Sequence, residues 1–471
     1  MGLGDIADGI VRQVEAVGDG VHEALFEPVV RLGVTGLSRA GKTVFITSLV
    51  ANLMDRGRMP QFMPAAEGRI LSAFLQPQPD DTVPRFDYET HLAAMTGPEA
   101  HWPESTRAVS ELRLSFRVRP GGLLSGLRSP RTVHLDIVDY PGEWLLDLEL
   151  LDKSYAEWSA ETLERITPRA MAAEFLSQAD RAEGDARLDE TVAKGLAIAF
   201  TGYLQAARAA GFSDCTPGRF LLPGEMEGSP VLTFAPLPKP ATTPRRSLWR
   251  EMERRFDAYK AQVVKPFFRE HFAKIDRQVV LVDVLGAINA GPAALEDLRR
   301  AMADILSAFR PGRNAFLTQL FLGRRVEKIL FAATKADHLH HSQHAKLTEI
   351  MATLMRDARD RAAFAGADTG AMSIAALRAT TEDTLDHEGR SLDVVRGTLI
   401  DSGKSAALYP GKLPDDPMQL IGPAREGAER WLDADYRVMR FAPSGAPSRA
   451  GEGPPHIRLD RAADFLIGDR L

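Results

Sequence analysis

Residues 36–43 carry the clearest chemistry in the chain, a glycine-rich turn followed by a lysine and a threonine. They read GLSRAGKT, which matches G-x-x-x-x-G-K-[ST], and they lie between two apolar segments. Glycines let the backbone curl so that successive N–H groups face one anion, and a helix beginning there adds partial positive charge. The turn is therefore predicted to bind phosphate groups through Gly36, Ser38, Arg39, Ala40, Gly41, Lys42, Thr43 and Val44.

Three side chains of this turn have distinct predicted roles. Lys42 offers a mobile positive charge to β- and γ-phosphates, and Thr43 offers a hydroxyl to Mg²⁺. Arg39 either lies in solvent, which we favour, or reaches the phosphates. A chance glycine turn is the alternative, and the flanking apolar segments argue against it.

A second motif, LDIVDYPGE at residues 135–143, ends an apolar segment with an acidic residue. Asp139 is predicted to hold Mg²⁺, directly or through water, and Gly142 to offer its N–H to the γ-phosphate. With Glu143 and Lys42 they form the predicted catalytic set. An ionised glutamate has no amide donor and is repelled by phosphate, so hydrolysis is expected to be slow.

A further metal ligand is expected from the long segment between these two motifs. Thr106 stands just before an alternating apolar and polar segment, which is the expected place for it. Ser105, Thr82 and Thr90 are rivals.

A third motif, TKAD at residues 334–337, directly follows the apolar segment KILFAA. The carboxylate of Asp337 can accept hydrogen bonds from both N1–H and N2–H₂ of guanine, a donor pair that adenine does not present. The stem of Lys335 can lie along the base. The predicted base-binding residues are Thr334, Lys335, Asp337 and His338, together with Ala379 and Thr380 from a later segment. The backbone of that later segment would face guanine O6, although an ordinary strand end explains it nearly as well. The histidines near Asp337 are more typical of a polar loop than of a metal site.

These motifs require a scaffold in which strands and helices alternate. Apolar segments predict strands at 29–36, 132–139, 279–284, 328–333 and 373–379, and a half-buried strand at 110–118. Apolar periodicity predicts helices at 44–54, 293–308 and 342–363. Residues 55–107 contain seven prolines and are predicted to be irregular. The expected fold is α/β, a P-loop NTPase with a mostly parallel sheet and one antiparallel hairpin.

The predicted organisation interrupts this core with one large insertion. The divisions are an N-terminal helix at 1–30, the first part of the core with an expanded segment after the phosphate-binding turn at 31–143, a mainly helical insertion at 144–275, the second part of the core at 276–389 and a C-terminal α+β extension at 390–471.

Composition excludes several functional classes for a chain of 471 residues. The net charge of −6 offers no general attraction to nucleic acid. The single cysteine, Cys215, cannot form an internal disulfide, and neither a signal peptide nor a transmembrane segment is recognisable. The expected location is the cytoplasm, with attachment to the inner membrane through a partner left open.

The motifs in this order resemble those of Ras-type and translation-factor-like GTPases. Across nearly the whole chain the sequence is similar to the bacterial YcjX-like family, on the segments GLSRAGKTVF, DYPGEWLLDL, LVDVLGAINAGP, ATKADH, RATTED, YPGKLP and FLIGDRL. The resemblance implies GTP and GDP binding with Mg²⁺, a Ras-like core with large insertions and a link to bacterial stress responses. It also places Glu143 where Ras-type proteins have a glutamine that orients water.

Three functions follow from these interpretations. The leading one is a slow GTPase that acts as a conformational switch on an unidentified protein partner, a membrane protein among the candidates. The second is a nucleotide-stabilised scaffold with little turnover. The third is an ATPase or small-molecule kinase in which TKAD is coincidental.

Overall fold

The computed structural model describes residues 27–37, 39–104, 108–120, 129–307, 326–364, 366–431, 436, 438–445 and 449–471. Its strands are β1 Val29–Gly36, β2 Ile70–Gln76, β3 Ser110–Val118, β4 Arg131–Asp139, β5 Arg277–Val282, β6 Lys328–Ala333, β7 Asp368–Ser373, β8 Thr381–His387, β9 Arg390–Thr398 and β10 Ser405–Leu408. The first seven form one sheet in the order β2-β3-β4-β1-β5-β6-β7.

Strand direction within this sheet confirms the predicted fold class. Neighbouring strands from β4 through β1, β5 and β6 to β7 run parallel. The predicted hairpin is the antiparallel pair β3 and β4, in which Ser110 lies opposite Asp139. A second antiparallel pair, which was not predicted, is formed by β2 and the outer edge of β3.

The prediction of an irregular segment at 55–107 was therefore wrong. Besides β2, the segment contains the helices Met63–Ala66 and Tyr88–Thr96. Two of its prolines lie where these elements tolerate them: Pro64 stands in the first turn of its helix, where a missing N–H costs nothing, and Pro77 follows the end of β2.

Helices cover both faces of the sheet. Alternate residues of each central strand point to opposite sides, so each strand contributes side chains to both layers of packing. Val279 and Leu281 pack with the helix Lys42–Met54 and with the C-terminal segment, residues 449–471, whereas Val280 and Val282 pack with the helices of the insertion. The helices of eight or more residues are Lys42–Met54, Tyr88–Thr96, Tyr155–Ile166, Ala173–Arg181, Glu190–Ala209, Leu248–Tyr259, Pro292–Ser307, His344–Leu354, Arg356–Phe364 and Met418–Arg425. The shorter helices are Met63–Ala66, Glu143–Leu146, Gly218–Leu221, Lys265–Glu270, Val284–Ala290 and Leu459–Ala463.

The segment between β4 and β5 is built from helices and turns around aromatic side chains. Trp158 stacks on Phe256 with 5.0 Å between ring centroids and meets Phe234 edge-on at 5.5 Å. Burial of such large rings stabilises the insertion, each ring removing roughly 150–250 Å² from water.

The C-terminal part forms a second, three-stranded antiparallel sheet in the order β10-β9-β8. Its hairpin of β8 and β9 spans residue 389, where the sequence-based division into core and extension falls. The last residues return to the main sheet, where Leu466 and Ile467 are buried beside the first helix. The extension is thus packed against the core at its end.

Two element predictions downstream of β6 need correction. The strand expected at 373–379 lies earlier, at Asp368–Ser373, and residues 374–379 form a loop whose apolar side chains Ile374 and Leu377 are buried. β7 is an edge strand and needs few apolar residues. The apolar pattern that predicted a strand therefore came from the buried loop that follows it. The single helix expected at 342–363 is two helices that meet at Met355.

Three predictions fall outside the described residues: the N-terminal helix up to residue 26, Ser38 and Thr106. Among the helices that the structure describes, none has both the length and the apolar composition that a membrane span requires.

Candidate functional site

The glycine-rich turn connects β1 to the first helix. β1 ends at Gly36, and the helix begins at Lys42 after Gly41, whose φ of 81° lies in the left-handed region that favours glycine. The ammonium of Lys42 donates to the carbonyl oxygen of Gly36 at 2.9 Å, so the lysine folds back over the turn. Ala40 is buried under it, Val44 is half-buried and Arg39 is exposed.

The second motif lies beside this turn because β4 is parallel to β1. Val34, two residues before Gly36, is in register with Asp139, and both Asp139 and Thr43 are buried. A Cβ atom at Gly142 would lie 2.2 Å from the carbonyl oxygen of Gly36. Only glycine allows this approach, which brings the backbone of the second motif against the phosphate-binding turn.

The third motif follows β6, whose carboxyl end lies at the same edge of the sheet as those of β1 and β4. Lys335 adopts a left-handed conformation with φ 61°, and its ammonium contacts the carboxylate of Asp283 at the end of β5. The same carboxylate accepts from the N–H of Gly286, so Asp283 both caps the helix Val284–Ala290 and fixes the lysine.

Asp337 is joined to the later loop that the sequence analysis assigned to the base. Its Oδ2 accepts from the N–H of Ala379 at 2.9 Å, and the hydroxyl of Thr380 donates to its backbone carbonyl. Asp337 and Thr334 are buried. The structure therefore brings together two segments, 334–337 and 379–380, that are about forty residues apart in sequence.

His338 and the histidines after it contact several other elements. The ring of His338 packs edge-on against Phe441, with centroids 5.4 Å apart, and burial lowers its pKa, which favours the neutral ring. His344 donates from Nε2 to the carbonyl of Ala336 at 2.8 Å. His341 pairs with Glu382 of β8 at 2.7 Å. Contact of His338 with a nucleotide stays a prediction.

Glu143 occupies an unusual environment for a carboxylate. Its side chain is 5% exposed, and its Oε1 lies 3.1 Å from Nη2 of Arg208, which belongs to the insertion helix Glu190–Ala209. Within the described residues, Oε2 of Glu143 has no hydrogen-bond partner. Both side chains line a cavity of ≈ 90 Å³ that Leu37 and Arg39 of the phosphate-binding turn also line.

A second set of contacts fixes the segment after Glu143 to the insertion. Asp147 accepts from the N–H of Gly218 at 2.7 Å and from the hydroxyl of Tyr259. Burial raises the pKa of Asp147 to about 7. The backbone of Gly218 also touches that of Glu143, since a Cβ there would lie 2.1 Å from the Glu143 carbonyl oxygen.

Arg208 and Asp147 are the residues that sequence reasoning missed. Arg208 lies 65 positions after Glu143 in an alanine-rich helix without a recognisable motif. An arginine in the last turn of a helix is ordinary in sequence, because such a charge suits the helix C-terminus anyway. Only the three-dimensional contact distinguishes it.

The carboxyl ends of β1, β4, β5 and β6 thus gather the three motifs at one edge of the sheet, where ligands bind in open α/β folds. This edge provides curled backbone N–H groups, a lysine, a buried hydroxyl and a buried carboxylate, which together suit a nucleotide polyphosphate with a hard cation. Of the predicted site residues, Ser38 and Thr106 are outside the described part of the chain.

Comparison with known proteins gives consistent matches. The chain matches the YcjX-like family (DUF463) over residues 30–471. A curated relative from Escherichia coli (strain K12), named Ras-like GTPase YcjX, is 37% identical over 455 residues, which cover 94% of this chain and 96% of the relative. A relative of the same name from Shewanella oneidensis is 36% identical over 470 residues, which cover 94% of each chain. The similarity extends over both the core and the insertion.

Proposed function

The chain belongs to the YcjX-like family, and from this premise we propose that it binds GTP and GDP with Mg²⁺ and hydrolyses GTP slowly as a conformational switch. The observation that carries the proposal is the joint position of the three motifs at one sheet edge, with Asp337 held by the N–H of Ala379. The names of the two relatives support it.

The proposed roles follow from the chemistry of each group. Lys42 and the backbone N–H groups of the turn bind phosphate oxygens, and Asp337 reads the guanine edge. Thr43 and Asp139 suit Mg²⁺, since both offer oxygen ligands and both are buried beside the turn. The cation, when bound, neutralises charge on the β- and γ-oxygens. Gly142 offers its N–H to the γ-phosphate.

Asp139→Ala is expected to remove most of the advantage that Mg²⁺ gives to GTP over GDP. Loss of this carboxylate would remove an oxygen ligand from the Mg²⁺ site, and with it the charge that the cation would supply against the γ-phosphate of GTP. The measurement is the affinity of a fluorescent GTP analogue and of GDP across a Mg²⁺ titration. Asp401→Asn, at an exposed turn, is the matched control. A Mg²⁺ dependence that survives Asp139→Ala would refute the assigned role.

The switch would act on the insertion through Glu143. The ion pair with Arg208 and the bonds of Asp147 to Gly218 and Tyr259 join residues 143–147 directly to insertion helices. Because Gly142 precedes this segment, a change in its contact with the γ-phosphate would be transmitted to those helices. A protein partner would read that change on the insertion; the cytoplasmic location and the role in stress responses are proposals that the family resemblance supports.

Glu143→Gln is expected to raise the rate of GTP hydrolysis about tenfold, or ~1.4 kcal/mol of barrier. Glutamine removes a charge beside the γ-phosphate, supplies an amide donor for water and releases Arg208 from its ion pair. The measurement is single-turnover hydrolysis, with Glu149→Gln, whose carboxylate pairs with Lys153, as control. The switch proposal fails if the unmodified protein alone turns over faster than about one per second, the range of dedicated enzymes.

A scaffold with little turnover is the second candidate, and the Glu143–Arg208 pair favours it. A carboxylate held by an arginine is less available to orient water, so bound nucleotide would chiefly stabilise the fold. Under this alternative, GTP and GDP raise the melting temperature while hydrolysis stays at background for both the unmodified protein and Glu143→Gln.

A further inference from the structure

A second cavity, lined by none of the residues of the three motifs, has four arginines in its lining. It measures ≈ 460 Å³, within the range of roughly 300–1,000 Å³ that small-molecule sites occupy. Three parts of the chain form it: residues 57–61 after the helix Lys42–Met54, Arg378 in the loop after β7, and residues 455–461 of the C-terminal segment. Its charged and titratable lining residues are Arg58, Arg378, His456, Arg458, Asp460 and Arg461.

Backbone and neutral partners, more than carboxylates, hold these side chains. Arg458 has φ 55°, and its Nη1 donates to the carbonyl and hydroxyl oxygens of Ser373 at 2.9 and 2.8 Å. Arg461 donates to the side-chain oxygen of Gln61. His456 lies 2.8 Å from the carbonyl oxygen of Arg58. The cavity is therefore a built feature of the fold and not a chance meeting of mobile side chains.

Positive charge exceeds negative charge in this cavity. In the described part of the chain neither Arg458 nor Arg461 forms an ion pair, and the buried carboxylate of Asp460 accepts instead from the N–H groups of Gln61 and Arg461. Burial, and after it the charge of Arg461, lowers the pKa of Arg458. Arg58 pairs with Glu452 and Arg378 lies 3.6 Å from Glu382, so neutralisation is partial.

We propose that this arginine cavity is a second ligand site, which binds a molecule carrying one or more phosphate groups. Guanidinium groups present planar forks of N–H donors that match phosphate oxygens, and a bound anion would relieve the repulsion between Arg458 and Arg461. Lysine-rich surface patches bind anions as diffuse charge; arginines fixed around a concave site select a compact polyanion.

The arginine cavity is also connected to the base-reading loop. Nε of Arg378 donates to the carbonyl of Thr380 at 3.0 Å, and the hydroxyl of Thr380 donates to the carbonyl of Asp337. A phosphate that draws Arg378 into the cavity would alter the loop that holds Asp337. This regulatory consequence rests on the proposed GTP binding, whereas anion binding itself does not.

The test is calorimetric titration of pyrophosphate into Lys42→Ala, in which the phosphate-binding turn is disabled. Binding is expected to persist in this variant and to weaken about tenfold or more in Lys42→Ala/Arg461→Ala, because one guanidinium fork is lost. Arg440→Ala, at a side chain 74% exposed elsewhere, should leave it unchanged. Arg58→Ala, made in the same Lys42→Ala background, is the second variant in which binding is expected to weaken. No binding to Lys42→Ala, or equal binding to all variants, overturns the proposal.

Two further experiments identify the source of the phosphate group and test whether the arginine cavity is coupled to the nucleotide site. Vesicles with and without an acidic phospholipid, tested by co-sedimentation, would show a lipid headgroup if binding requires Arg461, whereas pyrophosphate binding alone indicates a soluble ligand. In the unmodified protein, pyrophosphate also competes with GDP at the phosphate-binding turn, so the coupling is the part of the shift in GDP affinity that Arg461→Ala removes; an equal shift in both proteins shows that the two sites are not coupled. Anion binding without nucleotide binding would refute the proposed GTPase function and leave the second site standing.

Discussion

Lys42→Ala is expected to weaken GTP binding by about 100-fold or more. The ammonium of Lys42 lies 2.9 Å from the carbonyl oxygen of Gly36, from which it can swing to the β- and γ-phosphates. Charge-assisted hydrogen bonds contribute ~1.5–3 kcal/mol each, and two of them are lost. GDP, which lacks the γ-phosphate, should lose less.

The fold should survive this substitution, which makes the result interpretable. Lys42 makes one bond to a backbone carbonyl in a half-buried position, so its loss should cost about 0.5–1.5 kcal/mol of unfolding free energy. The measurements are equilibrium titration with a fluorescent guanine nucleotide and thermal unfolding, with Lys404→Ala at an exposed turn as control. If the variant binds GTP within about threefold of the unmodified protein, the turn does not bind the triphosphate.

The sequence was sufficient for the core because its signals are local. A strand, a glycine turn and a helix are contiguous at 29–54, and a parallel sheet brings the ends of its strands to one edge whatever lies between them. The parallel strands β1, β4 and β6 therefore place Asp139 and Asp337 at the same edge as Lys42. The hairpin of β3 and β4 was predicted from another local signal, two adjacent strand patterns joined by a polar loop.

What the sequence could not predict depends on contacts between distant segments. β2 is a half-exposed edge strand between prolines, and its stability comes from pairing with β3, which no local pattern records. The ion pair of Glu143 with Arg208 joins two segments that become neighbours only when the insertion packs on the core.

The arginine cavity shows the same limitation at a larger distance. Arg58 and Arg461 are separated by almost the whole chain and meet because the C-terminal segment returns to the first helix. Single arginines in sequence carry no such information. Alternating strand and helix patterns fix the frame of this protein, whereas its specific polar contacts arise from packing between elements.

Asp337→Asn is expected to reverse the base preference of the protein as well as to weaken GTP. In the unmodified protein the carboxylate of Asp337 is buried and its Oδ2 accepts from the N–H of Ala379. We propose that its remaining acceptor sites bind the base. Asparagine presents an NH₂ donor to one of the two guanine donors. The lost charged pair and the unsatisfied donor should cost about 2–4 kcal/mol, or ~30–1,000-fold in GTP and GDP affinity.

Xanthine provides the matching gain, because it carries a carbonyl at position 2 where guanine has an amine. The asparagine NH₂ can donate to that oxygen while its carbonyl accepts from N1–H and from Ala379. The variant should therefore bind xanthosine triphosphate more tightly than GTP, whereas the unmodified protein should reject both xanthosine triphosphate and ATP. The measurement is competition of the three nucleotides against a fluorescent guanine nucleotide, with Asp401→Asn as control. If Asp337→Asn keeps the original order of preference, residues 334–337 do not read the base. A preference for ATP in the unmodified protein would instead favour the ATPase or kinase alternative, since adenine offers no donor pair to a buried carboxylate.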